Sequence, residues 1–141
     1  MLEQSLPTAS RTFGVSSREV AAIDDWVEAI TREWNQGQRT AFRARLCVEE
    51  LAANVLEHAG ATADDEIRIT LRHLNDGIGI EFVDTCPPFD PTRIVPPIVN
   101  GSIETVSVGG RGLQLVHAFS RDLLYRPQLG LNIVSFKVPS E

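Results

Sequence analysis

Apolar positions recur along the chain with two different periods, and the switches between them divide it into elements. The stretch "RTFGVS" at 11–16 is short enough for an edge strand. From Ser17, "SREVAAIDDWVEAITREW" sets Val20, Ile23, Val27 and Ile30 at three- and four-residue steps, one face of an amphipathic helix. Ser17 is the expected N-cap. The polar run "NQGQ" at 35–38 interrupts that face, and a second helix is expected from about Arg39 to Ala59, ended by Gly60. The period then drops to two. In "EIRITLRH" (66–73), Ile67, Ile69 and Leu71 alternate with Arg68, Thr70 and Arg72, the pattern of a half-buried strand. "LNDG" (74–77) has hairpin-turn chemistry, and "IGIEFVD" (78–84) alternates again through Ile78, Ile80 and Phe82. A long stretch rich in proline and glycine follows at 85–110, too long for a plain connector and of the kind that forms lids or binding loops. "RGLQLVHAFS" (111–120) reads as a short helix, and 122–127 with 129–138 as a closing hairpin. Strands gathered in hairpins with helices between them predict an α+β fold, a two-layer sandwich.

Composition narrows the function classes. A chain of 141 residues, 43% hydrophobic and 23% charged, fits a single globular domain spanning 1–141. Its net charge of −6 lacks the basic footprint that nucleic-acid binding requires, so no direct nucleic-acid partner is expected. A local anion site is still compatible with that balance. No apolar run approaches the roughly 18–20 residues of a membrane helix, and "MLEQSLPTASR" lacks the plan of a signal peptide. Cys47 and Cys86 have neither disulfide nor metal spacing, and His58, His73 and His117 lie far apart. A cytoplasmic location without a histidine-built zinc site is therefore expected. "NGS" at 100–102 is read as a turn.

Three segments carry candidate chemistry. In "LCVEELAANVLEHAG" (46–60), Glu50, Asn54 and His58 stand at successive four-residue steps beside an apolar face of Val48, Leu51, Ala52, Val55 and Ala59. Asn is a poor helix-interior residue, which makes the stripe notable. A solvated helix edge is one explanation. A carboxylate and an amide one turn apart that serve a hydrated Mg²⁺ are another, since that ion takes few protein oxygens beside phosphate oxygens. In "VDTCPPFDP" (83–91), Asp84 falls where a strand opens into the long loop, either as a turn-initiating residue or as a recognition carboxylate. In "GGRGLQLV" (109–116), Gly109, Gly110 and Gly112 precede a helix, either simply ending the loop or letting backbone amides and the helix dipole approach an anion.

Taken together, the order and spacing of these segments resemble the GHKL (Bergerat-fold) ATP-binding domain, and within it the compact anti-sigma-factor serine/threonine kinases. That family's Glu-x-x-x-Asn-x-x-x-His box is matched by Glu50, Asn54 and His58. Its Asp-x-Gly-x-Pro-Phe-Asp-Pro box is matched by Asp84, Pro88, Phe89, Asp90 and Pro91, with Cys86 at the glycine position. Its Gly-Gly-x-Gly-Leu-x-Leu-Val box is matched from Gly109 through Arg111, Gly112 and Leu113 to Val116. The resemblance implies a mixed, mostly antiparallel sheet covered on one face by about three helices, with a lid at about 89–109. It implies ATP/ADP and Mg²⁺ as cofactors.

By the same resemblance, Asn54 holds Mg²⁺ and Glu50 is the general base toward a partner's serine. Asp84 accepts from the adenine amino group, and the glycines cradle phosphate. Arg111 is a candidate phosphate clamp or a solvated residue, His58 a phosphate neighbour or helix-end packing. Ser135 stands near the place of a final-strand threonine beside adenine. The partners implied are a STAS-type anti-anti-sigma protein bearing the serine and a sigma factor, and the resembling kinases are often homodimers. Cys86 departs from the family, because glycine reaches backbone conformations a cysteine avoids; weakened or reshaped nucleotide binding is expected from it. The leading expectation is a partner-switching protein kinase. The alternative is a nucleotide-binding interaction module that transfers nothing and switches partners by occupancy.

Overall fold

Helix α1 (Ser17–Glu33) starts where a hydroxyl can cap it: the Ser16 side chain accepts from the Glu19 backbone N–H at 3.2 Å. The cap is thus Ser16, one residue before the expected Ser17. Glu19 accounts for the shift, since Ser16-x-x-Glu19 is a capping-box spacing, and here the Glu19 carboxylate reaches back to the Gly14 N–H at 3.0 Å. Helix α2 (Gln38–His58) has no side-chain cap at its start and ends at Ala59, followed by Gly60 in the left-handed region at φ +68°. The computed structural model describes residues 6–88, 90 and 108–140, and for 108–113 the backbone alone.

The sheet has five strands: β1 (Thr8–Gly14), β2 (Glu66–Leu74), β3 (Gly77–Asp84), β4 (Arg121–Gln128) and β5 (Leu131–Pro139). Their order is β1-β2-β3-β5-β4, so β1 is an edge strand, as expected, although it begins three residues earlier than Arg11. All described pairings are antiparallel, so within these residues the sheet is not mixed. Helix α3 (Val108–Phe119) precedes the closing β4–β5 hairpin.

Period-two alternation decides which side chains face the helices. Ile67, Ile69 and Leu71 of β2, Ile78, Ile80 and Phe82 of β3, and Val134, Phe136 and Val138 of β5 are all buried. They pack with Ile23 and Val27 of α1 and with Ala44, Val48, Leu51, Ala52 and Val55 of α2. Phe13 closes one end against Trp26, edge to face at 5.8 Å. Arg68 and Arg72 are exposed on the opposite sheet face, with Thr70 and Glu81 half-buried beside them. The result is a two-layer α+β sandwich with the core between one sheet face and the helices.

The register continues the same parity to the strand ends. Asp84 follows Ile80 and Phe82 by even steps, so its carboxylate points into the layer between sheet and helices, where its residue is 5% exposed. Asn132 is its cross-strand partner on β5. Beyond it, the Thr85 hydroxyl donates to Asp65 Oδ1 at 2.8 Å and accepts from the Glu66 N–H at 2.9 Å, pinning the end of β3 to the start of β2.

The β2–β3 turn supplies a stability test. Gly77 has φ +154°, and a Cβ there would run into the Val138 carbonyl oxygen and come within 2.9 Å of Pro139 Cα, both backbone. Gly130, at φ +79° in the β4–β5 turn, would meet nothing within 4 Å. Gly130→Ala is expected to lose about 1–2 kcal/mol from its left-handed backbone alone. Gly77→Ala is expected to lose upward of about 2 kcal/mol because rigid backbone must also move. Denaturant unfolding of the two variants checks the order; equal losses would contradict this packing of β3 against β5.

Candidate functional site

Helix α2 brings the first motif against the core, though not as a uniform stripe. Asn54 is 2% exposed, so it is no solvated edge, while Glu50 one turn earlier is half-buried. Four-residue steps drift about 40° around a helix, and that drift carries Asn54 from the border toward the apolar side. His58 would drift further inward, but it is the last helical residue and its side chain is 52% exposed, with Nε2 3.5 Å from Glu57 Oε2. The Glu50 carboxylate is close enough to act on Cys47: burial first, and Glu50 second, push that thiol up to about 12. Cys47 is thus a neutral core residue.

The second motif centres on Asp84. Asn132 Nδ2 donates to its Oδ1 at 2.9 Å, and the Cys86 backbone N–H donates to the same oxygen at 3.0 Å. The Cys86 side chain lies close enough to this carboxylate to favour its ionised form. Burial nevertheless holds the Asp84 carboxyl above its ordinary range, with Asp65 adding to the rise and the Asn132 and Cys86 donors opposing it. Cys86 is 3% exposed, and burial together with the Asp84 and Asp65 carboxylates pushes its thiol up to about 12. It is a neutral thiol. Its backbone is outside the left-handed region, so a glycine's freedom is not required at this position in this chain. The difference from glycine lies in the side chain, which fills core space beside Asp84.

Asn132 escaped the sequence reading, and its signal was there. Even-numbered Val134, Phe136 and Val138 of β5 are buried, and Asn132 is the polar residue at that parity, 2% exposed. Its Nδ2 also lies 3.0 Å from the Cys86 carbonyl and 3.2 Å from that of Pro87, and its Oδ1 accepts from the Tyr125 hydroxyl at 2.6 Å. Ser135, expected beside the base, has the opposite parity: it is paired with Glu81 on the sheet face away from the helices. The structure does not bring it to Asp84. Cys86 and Asn132 also line a cavity of about 250 Å³ with Pro88, Pro127, Leu129 and Leu131. A larger cavity of about 340 Å³ lies between α1 and the first half of α2 and contains no motif residue.

The third motif is placed in part. Gly109, Gly110 and Gly112 lie within the first turns of α3 rather than just before it, because the helix starts at Val108. First-turn N–H groups have no intrahelical acceptor, so the anion-binding capacity of that end is retained. Phe89, most of the expected lid at 89–109, and the side chains of Arg111 and Leu113 lie outside the described residues. Among the described residues no three His, Cys, Asp or Glu side chains stand together as a metal site. No described helix is long and apolar enough to cross a membrane.

This arrangement matches known proteins. The family profile described as the histidine kinase-like ATPase domain matches residues 14–138, and the chain belongs to that family, one of the GHKL group. The serine/threonine-protein kinase BtrW of Bordetella bronchiseptica is 29% identical over 108 residues, covering 76% of each chain. The catalytic domain of the histidine kinase ThkA, in a nucleotide-free form, superposes with a TM-score of 0.52 over 94% of this chain and 97% of that one, at 12% identity. That likeness establishes the shared fold. The histidine kinase domain of a blue-light activated histidine kinase from Erythrobacter litoralis aligns at 19% identity and a TM-score of 0.49, over 86% of this chain and 60% of that one. Membership of this ATPase family implies a domain built to bind ATP or ADP.

The raised Asp84 carboxyl has a consequence for stability. A carboxyl whose folded pKa lies above its unfolded value stabilises the fold most fully below the ordinary carboxylate range, and that contribution is lost as pH rises through the folded value. Asp84→Asn removes the ionisation. The nucleotide-free variant is therefore expected to melt at or above the unmodified protein at pH 7, with the gap narrowing toward pH 4. Melting curves across that range decide it; a variant uniformly less stable at every pH would show that the ionised carboxylate is well solvated in the fold.

Proposed function

We propose that the chain is a protein serine/threonine kinase of the anti-sigma-factor type, acting in the cytoplasm on a serine of a STAS-type partner and alternating between that partner and a sigma factor. The observation that carries the reading is Glu50 on α2, one turn before a buried Asn54, in a chain of the histidine kinase-like ATPase family. The serine/threonine kinase name of the relative from Bordetella bronchiseptica supports the same direction.

In this reading Asp84 accepts from the adenine amino group, and the first turn of α3 receives phosphate oxygens. Asn54 offers one hard oxygen to Mg²⁺, an ion that uses few protein ligands beside water and phosphate. When bound, that ion would neutralise charge on the phosphates during transfer. Glu50 orients the serine hydroxyl and takes its proton as the hydroxyl oxygen bonds to the γ-phosphorus and the bond to ADP breaks. A homodimer is part of the proposal. A second reading, a nucleotide-occupied switch without transfer, draws on Cys86, whose side chain occupies the glycine position of the motif and packs beside the base-reading carboxylate.

Two substitutions on α2 separate these roles. Asn54→Ala is expected to weaken Mg·ATP binding and abolish transfer together. Glu50→Gln is expected to leave ATP affinity nearly intact while cutting transfer by roughly 10²–10⁴-fold, the usual contribution of a general base. The measurement is transfer of labelled γ-phosphate to the recovered partner, with ATP titration of each variant. Undiminished transfer by Glu50→Gln would remove the base assignment. Tight ATP binding without transfer by the unmodified protein would favour the switch.

Cys86→Gly is expected to tighten ADP binding or leave it unchanged, because the smaller residue frees space beside Asp84 while keeping the backbone N–H that donates to it. Calorimetry provides the comparison, and a large loss of affinity would mean the thiol itself supports the nucleotide.

A further inference from the structure

We infer that Tyr125 and Asn132, both from the β4–β5 hairpin, are positioning residues that fix the Asp84 carboxylate as an acceptor and thereby set the preference for a 6-amino over a 6-oxo purine. The inference rests on the reading of Asp84 as the base-recognising group.

The two ends of the Asn132 amide sit in opposite surroundings. Its Nδ2 faces three acceptors: Asp84 Oδ1 at 2.9 Å, the Cys86 carbonyl at 3.0 Å and the Pro87 carbonyl at 3.2 Å. Its Oδ1 faces the Tyr125 hydroxyl at 2.6 Å, and a phenol donates its single proton there. Turning the amide over would set its oxygen against three other oxygens and leave the phenol facing an N–H₂ group. One orientation is therefore imposed, and it aims N–H at Asp84. Sheet register makes the contact possible. Asn132 is directly opposite Asp84 on β3, and Tyr125 is the diagonal neighbour of Asn132, since Pro127 is its direct partner on β4.

Two donors of the chain itself thus converge on Asp84 Oδ1: Asn132 Nδ2 and the Cys86 N–H. A carboxylate offers about four acceptor positions, so acceptor capacity is left for a base. An exocyclic amino group fits that capacity. A 6-oxo group would set an acceptor against an acceptor. If the Asn132 donor is lost or free to rotate, the buried carboxyl gains protonated character, and a protonated carboxyl can donate to a 6-oxo group. Discrimination should then fall without loss of the pocket.

The test compares ADP with IDP, which differ at the 6-position, by calorimetry on the unmodified protein, Tyr125→Phe and Asn132→Ala, with melting curves to confirm folding. The unmodified protein is expected to prefer ADP. In Tyr125→Phe, which keeps the packed ring, the ADP-to-IDP affinity ratio is expected to fall by roughly threefold to tenfold, the effect of one lost hydrogen bond. In Asn132→Ala it is expected to fall further. A purely structural role would weaken both nucleotides in proportion, and an unchanged ratio in Tyr125→Phe overturns the inference while leaving the nucleotide site intact. An unmodified protein that binds both nucleotides equally removes the role of Asp84 in base choice, and the inference with it. One that binds neither overturns the functional reading first. Should Asn132→Ala fail to fold, Tyr125→Phe decides alone.

Discussion

A carboxylate at the inner end of β3 is the constraint around which this domain is arranged. Asp84 is placed inside by the same period of two that buries Ile80 and Phe82, and an ionised group in that layer is tolerated only with donors around it. The chain supplies them from two directions: the Cys86 N–H from just past the strand, and Asn132 from β5. The hairpin that closes the sheet is therefore more than an edge. Its pairing with β3 must have the register that sets Asn132 opposite Asp84, and the Gly77 turn at the other end of β3 lets the backbone approach closely enough to keep it.

The consequence for function is a division of labour between sheet and helices. In the proposed reading, the sheet end would recognise the base through one carboxylate whose remaining capacity is defined by its internal partners, and the helix would serve the phosphates and the incoming hydroxyl. Helix α2 carries Glu50 and Asn54 at heights one turn apart, one half-buried and one enclosed. Enclosure suits an amide that holds an ion in fixed geometry. Partial exposure suits a carboxylate that must meet a hydroxyl arriving from another protein. Cys86 packs beside Asp84: at about 12 its thiol is neutral and fills core space rather than acting as a nucleophile.

Much of this was legible in the chain. The two hydrophobic periods located α1, β2 and β3, because burial on one face is what those periods record, and the remaining elements were placed by length and turn residues. Their ends moved by one to three residues, as at Ser16, Thr8 and Val108, since caps and frayed strand ends depend on single hydrogen bonds that periodicity does not report. The three motifs, with their order and spacing, were sufficient to reach the ATPase family that residues 14–138 match.

What periodicity could not supply was depth and partnership. A helical wheel discards position along the axis, so it could not distinguish Asn54, enclosed one turn before the helix end, from His58, exposed at that end. Ser135 and Asn132 differ by an odd step, and only the register of β5 on β3 shows that Asn132 is the one facing Asp84. The donors that keep a buried carboxylate tolerable come from 48 residues away in the case of Asn132. Local sequence determined that Asp84 stands at a strand end. Tertiary pairing decided what surrounds it, because a hydrogen bond between distant strands exists only once the sheet has set their register.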